Sequence, residues 1–186
     1  MPTFISRLAH GMALLGGVVL LALIVLTCAS VLGRGLNTLG HSDLLTGLSA
    51  DLAKSLIDSG VGPVTGDFEV VEAGVAFAIF AFLPIAQLRG AHATVDIFTG
   101  FLPPAINRAL IAFWEVVLTA VILLITWRLF VGMQSKMAYG ETTFLLQFPI
   151  WWAYAASVFA AVTASITALY CAFARVTGTS LEGTPS

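Results

Sequence analysis

The sequence predicts an all-α integral membrane protein, with four transmembrane helices plus an amphipathic surface helix between the first and second. Three observations carry this prediction. Only 10% of the 186 residues are charged and 59% are hydrophobic, whereas a soluble domain carries about 25% charged residues. Too few charges remain to cover a water-facing surface, so lipid is the solvent for much of the chain. Four apolar runs each extend for about 20 residues or more, enough at 1.5 Å per residue to cross a hydrocarbon core of roughly 30 Å. The segment between the first two runs has helical periodicity but is too polar to cross. Residues 1–186 are expected to form a single four-helix membrane domain.

The first span is placed at about residues 8–32. Arg7 precedes it, as in a secretory signal, but a cleaved signal has an apolar region of only about 7–15 residues. The span is therefore expected to be retained. A lipoprotein reading of Cys28 fails because Thr27 is a poor residue just before the cysteine. Gly11, Gly16, Gly17 and Ala22 give the span a side of small residues, which suits close helix packing in lipid.

The surface helix is placed at about residues 43–58. Leu44, Leu45, Leu48, Leu52, Leu56 and Ile57 form its apolar face, while Ser49, Asp51, Lys54, Ser55 and Asp58 lie opposite. Ser42 or Asp43 can cap its start and Gly60 can end it. Its polar face is net acidic, so attraction to anionic lipid is not what holds it. Two readings stay open: an arm for a partner, or a cover over the end of the bundle.

The second span runs from about 70 to 88, and Glu69 and Glu72 stand at its mouth on one face. Acids are favoured at a helix N-terminus by its dipole, so capping alone explains them, with Arg34 as a candidate counter-charge. Pro84 removes a backbone hydrogen bond and is expected to kink the helix near its exit. The third span covers about 106–131 and the fourth about 148–174. Pro149 falls in the first turn of the fourth, where a missing N–H costs nothing. Trp151, Trp152 and Tyr154 lie near one interface, and Trp114 and Trp127 flank the third span. Such aromatics anchor helices at headgroup level. The tail, about 178–186, is short and polar and is expected to be disordered.

Four spans put both termini on one side. Lys and Arg counts do not decide which side: Arg7, Arg89, Arg108 and Arg175 stand on the terminal side, and Arg34, Lys54, Arg128 and Lys136 on the other.

Ionisable groups inside spans are the default functional candidates in a membrane. Glu115 lies about two turns into the third span, with Arg108 on nearly the same helix face. One reading is a proton or ion site. The other is a carboxylate paired to Arg108, to Arg89 across the turn, or to a partner subunit. The structural reading weighs more, because one acid without a second at depth makes a poor relay. Neither HExxH nor CxxC occurs, and no nucleophile–base pair is visible, so an enzyme is not expected. His10, His41 and His92 fall at span ends or in loops, which disfavours haem held between helices. No cofactor and no metal are expected. Cys28 and Cys171 sit singly in apolar runs and read as small fillers. The scattered Lys and Arg form no basic patch, which excludes nucleic acid as a natural partner.

One further pattern carries a family resemblance. Glu69 opens the second span, and the turn after it reads Arg89-Gly90-Ala91-His92-Ala93-Thr94-Val95-Asp96. Leu102-Pro103-Pro104 follows. Before the fourth span come Gly140, Thr142 or Thr143, Leu146, Pro149, Trp151 and Tyr154. In this order and spacing the chain resembles the small transmembrane permease subunit (DctQ type) of tripartite ATP-independent periplasmic (TRAP) transporters, from roughly Asp67 to Tyr170. It departs from the pattern at Val158 and Ala160, where the family often has Pro-x-Gly. Its Gly33–Gly66 segment is also longer than in compact members.

The resemblance implies a multi-pass protein of the bacterial inner (cytoplasmic) membrane with both termini cytoplasmic. It implies two partners besides membrane lipid: a large multi-span permease subunit and a periplasmic solute-binding protein delivering an organic acid. The large subunit would hold the substrate and sodium sites, and this chain would be a non-catalytic scaffold. Within the turn, Gly90 tolerates a conformation other residues resist. His92 and Asp96 are spaced for a hydrogen bond within one helical turn, and Arg89 can snorkel to headgroups. The turn is expected to set the angle of the third span and to dock the large subunit. The competing reading is an independent four-helix channel or exchanger acting as a homo-oligomer.

Overall fold

The structure, a computed structural model, describes residues 2–42, 47, 49–58, 60–90 and 104–177. Among these residues lie the helices α1 (Pro2–Gly40), α2 (Ala50–Asp58), α3 (Asp67–Arg89), α4 (Pro104–Tyr139) and α5 (Ile150–Thr177). No strand occurs among the described residues, and an isolated β-bridge joins Thr142 to Pro149. α1, α3, α4 and α5 are long and apolar enough to cross a membrane. The all-α class and the four spans therefore stand as the sequence predicts.

Helix α1 is longer than its apolar run. Its 39 residues extend about 58 Å, nearly twice the hydrocarbon core of about 30 Å. The first part of the Gly33–Gly66 segment is thus helix rather than loop, and it carries on to Gly40. Two close contacts bind the returning chain to this extension. A side chain at Gly33 would collide with the carbonyl oxygen of Gly62. Asn37 Nδ2 donates to the Val61 carbonyl at 3.2 Å.

The surface helix is described from Ala50, and residues 43–46 and 48 of its expected range lie outside the described residues. Ala53 is buried, while Asp51, Lys54, Ser55 and Asp58 are exposed. α2 lies against α1, with Ala53 buried and Ile57 exposed. Ser42 donates its hydroxyl to the Leu39 carbonyl at 2.7 Å.

The spans are not arranged as a square bundle. They lie in a row in the order α1, α3, α5, α4, with α1 and α5 touching only lightly. Half of the crossing window of α5 is buried, against 17% in each of the other three, so α5 is the central member. Its sequence explains why. Ala160, Ala161, Ala164, Ala168 and Cys171 are buried and small, which lets neighbours approach from both sides. Hydroxyls add interhelical bonds: Thr126 Oγ1 lies 2.9 Å from Ser165 Oγ, and Thr119 Oγ1 donates to the Ala168 carbonyl at 3.3 Å.

On the other side of the row, α1 and α3 mesh through glycines. A Cβ on Gly16 would lie 3.0 Å from that of Ala81, and one on Gly74 would lie 2.8 Å from Leu23. Of the small-residue side expected on the first span, Gly16 makes this contact, whereas Gly11 and Gly17 face open space. Pro84 is buried in α3, and the helix continues through it to Arg89. Gly90 ends the helix at φ 60°, and its N–H turns back to the Ala86 and Gln87 carbonyls.

Candidate functional site

Polar side chains gather at both ends of the row. At the end that holds the termini, α3, α4 and α5 meet around Glu115, which is only 4% exposed. Gln87 Nε2 donates to Glu115 Oε1 at 2.5 Å. On the other carboxylate oxygen, Oε2, Arg175 Nε closes an ion pair at 3.2 Å. Arg175 Nε is buried and not aligned for a hydrogen bond, so the contact is an ion pair in character. The guanidinium also lies over Gly90, where an added Cβ would come within 2.8 Å of Nη2. A helix-ending glycine, an amide, an acid and an arginine thus form one clasp across three helices. Ala9 of α1 seals its edge with Leu88 and Cys171.

This clasp corrects the sequence reading in one respect. Arg108, Arg89 and a partner subunit are the partners expected for Glu115; among the described side chains it is Arg175 and Gln87 that hold it. Arg89 is exposed at the end of α3, and the Arg108 side chain lies outside the described residues. The missed residues come from other helices, so periodicity within the third span holds no trace of them. The available signal was an amide inside an apolar span together with an arginine on the same membrane side. His92 and Asp96 lie outside the described residues, as does the Leu102-Pro103 step.

At the opposite end the carboxylates are held differently. Asp67 starts α3 behind Gly66, which has φ 77°. Asp67 Oδ2 accepts the Ser30 hydroxyl at 2.5 Å, with Arg34 Nη2 at 3.8 Å. Arg34 therefore faces Asp67, whereas the sequence offered it to Glu69 and Glu72, and it stacks over the Phe68 ring at 5.9 Å. Glu69 reaches the loop before α5, where Leu145 N–H and Leu146 N–H donate to its two oxygens at 2.6 and 2.9 Å. Charge-assisted bonds of this kind are about twice as strong as neutral ones.

That loop is itself a narrow hairpin. Thr143 N–H donates to the Phe148 carbonyl and Ile150 N–H to the Glu141 carbonyl, each at 3.0 Å. Pro149 sits in the bridge, and Gln147 takes a positive φ of 56°. Lys136 pairs with Glu141 at 2.5 Å across the end of α4. Trp151 is half-buried and meets exposed Trp152 edge-on at 6.1 Å. The Tyr154 ring lies against Gly132, where a Cβ would approach to 2.9 Å. Below the hairpin a cavity of about 280 Å³ opens between α3, α4 and α5, with Glu69 and Glu72 on its rim.

The fold and these two ends define a class: a four-span α-helical membrane protein whose deepest described charges are tied to one another. Among the described residues, no group of three His, Cys, Asp or Glu side chains is placed to hold a metal ion. The family model for the DctQ component of tripartite ATP-independent periplasmic transporters matches residues 60–178, most of the chain, and the chain belongs to that family. It is a small permease subunit of TRAP type and a transporter component. Neither the curated proteins nor the solved structures compared with it give a match.

Proposed function

We propose that this chain is a non-catalytic scaffold for the large permease subunit of a sodium-coupled, binding-protein-dependent transporter of organic acids. The substrate and sodium sites belong to the large subunit, and a periplasmic solute-binding protein delivers the substrate. The protein resides in the bacterial inner membrane with both termini cytoplasmic. The clasp around Glu115 then lies at the cytoplasmic end and the hairpin at the periplasmic end.

The observation that carries this reading is the tied state of Glu115. A carboxylate working as a proton or ion relay needs a free oxygen and a path. This one has an amide on one oxygen and a guanidinium on the other, and is 4% exposed. The row of spans supports the same reading. α1 and α4 stand at its two flanks and expose large apolar side chains, among them Leu14, Leu21 and Val25 on one and Leu124 and Trp127 on the other. Broad apolar flanks suit a partner helix as well as lipid.

The test is a mild-detergent pull-down of a tagged copy from its native membrane, with the co-purifying chains weighed. The expected result is a stoichiometric, very apolar partner of more than about twice this mass, and no solute movement by the chain alone in liposomes. A homo-oligomer with no second chain would overturn the scaffold and leave the channel or exchanger reading.

A further inference from the structure

The cavity under the hairpin plays no part in the proposed scaffold, yet its lining is graded. It exists because α5 stands between α3 and α4 and because Ala73, Ala76 and Ala153 leave space on the walls. Glu69 and Glu72 mark the rim, and Phe80 and Leu129 the inner end. From Glu69 to Phe80 is about 16 Å along α3, half of a hydrocarbon core of about 30 Å. The cavity thus has the depth of one leaflet, acidic at headgroup level and apolar below.

Two polar groups in it lack partners. Glu69 is committed to the loop amides, but Glu72, exposed at the rim, has neither an ion pair nor a hydrogen bond among the described residues. Deeper in, Ser157 is 2% exposed and lines the cavity. A buried serine on a helix ordinarily bonds back to a carbonyl one turn earlier, as Ser165 does to Ala161. The Ser157 hydroxyl makes no such bond among the described residues, and its oxygen faces the cavity rather than being sealed in protein. A hydroxyl that opens onto a cavity is a ready donor for an acceptor arriving with a ligand.

We propose that this cavity holds one chain of a membrane lipid whose headgroup carries a primary ammonium, of the phosphatidylethanolamine class. The acyl chain lies between Ala76 and Phe80. An ester carbonyl accepts from Ser157, and the ammonium pairs with Glu72 at the rim. Phosphatidylglycerol has the same phosphate and esters but brings no positive charge to the acid. The inference does not depend on the transporter assembly.

The test is native mass spectrometry of the full chain, in whatever complex it purifies, after exchange into phosphatidylethanolamine, phosphatidylglycerol or phosphatidylcholine with matched acyl chains. One phosphatidylethanolamine is expected to be retained about fivefold over phosphatidylglycerol, the upper range for a partly exposed ion pair. Glu72→Gln is expected to bring the two close to parity. Ser157→Ala is expected to lower retention of every lipid, and Ala153→Leu, which fills the cavity, to abolish it. Equal retention of the two lipids by the unaltered protein would overturn the proposal. So would undiminished retention in Ala153→Leu, or a crosslink from position 72 to a basic side chain of a co-purifying chain.

Discussion

The two ends of the row manage carboxylates in opposite ways. At the terminal end, Glu115 is held by side chains from two other helices and is almost wholly buried. At the far end, Asp67 is held by a hydroxyl with Arg34 at 3.8 Å and Glu69 by loop backbone, and a cavity remains beside Glu69. The first arrangement is closed and binds helices to one another. The second binds a helix to a loop and keeps room for something else. Burial explains the difference. A charge removed from water needs an opposite charge in close contact, whereas a carboxylate at headgroup level is held by hydroxyl and backbone donors with a cation only at longer range.

The largest effect should come from breaking the closed end. Arg175→Ala leaves Glu115 buried without its counter-charge, and a loss of about 3–5 kcal/mol is expected. Thermal unfolding in detergent would read it. The double variant Arg175→Met with Glu115→Leu should recover much of that loss, because no charge is then left buried. If the single and double variants unfold alike, the clasp is not an energetic unit.

A smaller effect is expected at Gly90. Alanine there meets both a φ of 60° and the Arg175 guanidinium at 2.8 Å. Destabilisation of more than about 1 kcal/mol should follow, since a Cβ is disfavoured at positive φ even without a neighbour. Pairing it with Arg175→Ala sharpens the comparison: the penalty should shrink to the backbone share once the guanidinium is gone.

The smallest global effect belongs to the open end. Glu69→Gln keeps the shape and removes the charge that two amides share. Faster hydrogen exchange is expected at the Leu145 and Leu146 amides, with little change in unfolding temperature. A large fall in unfolding temperature would mean that the hairpin, too, binds the spans together.

The parts of this fold that depend on one helix at a time were readable from sequence. Hydropathy places the four spans, and the periodicity around Leu52 and Leu56 marks the surface helix. The parts that depend on two helices were not. Nothing in the third span points to Arg175, and nothing in the apolar runs orders them as α1, α3, α5, α4. The nearest hint was composition, because the alanines, serines and threonines between Ser157 and Ala168 are those of a helix with neighbours on both sides. The extension of α1 to Gly40 was also hidden, since polar residues after Leu32 mark the end of apolarity but not the end of a helix. Glu69 is legible as a helix-start acid, but its loop partners are backbone amides, which any residue supplies.

The order of the spans also bears on how the chain is made. The third span leaves the ribosome before the fourth, yet the fourth is its main neighbour in the row. At about 5–20 residues per second, synthesis of the intervening stretch takes seconds. During that wait α4 is in the bilayer with Glu115 but without Arg175. Gln87, on a span made earlier, is the side chain of the clasp already present to receive the acid. In this order of synthesis the amide is the first polar partner within reach of the acid, and Arg175 completes the charge balance once α5 joins.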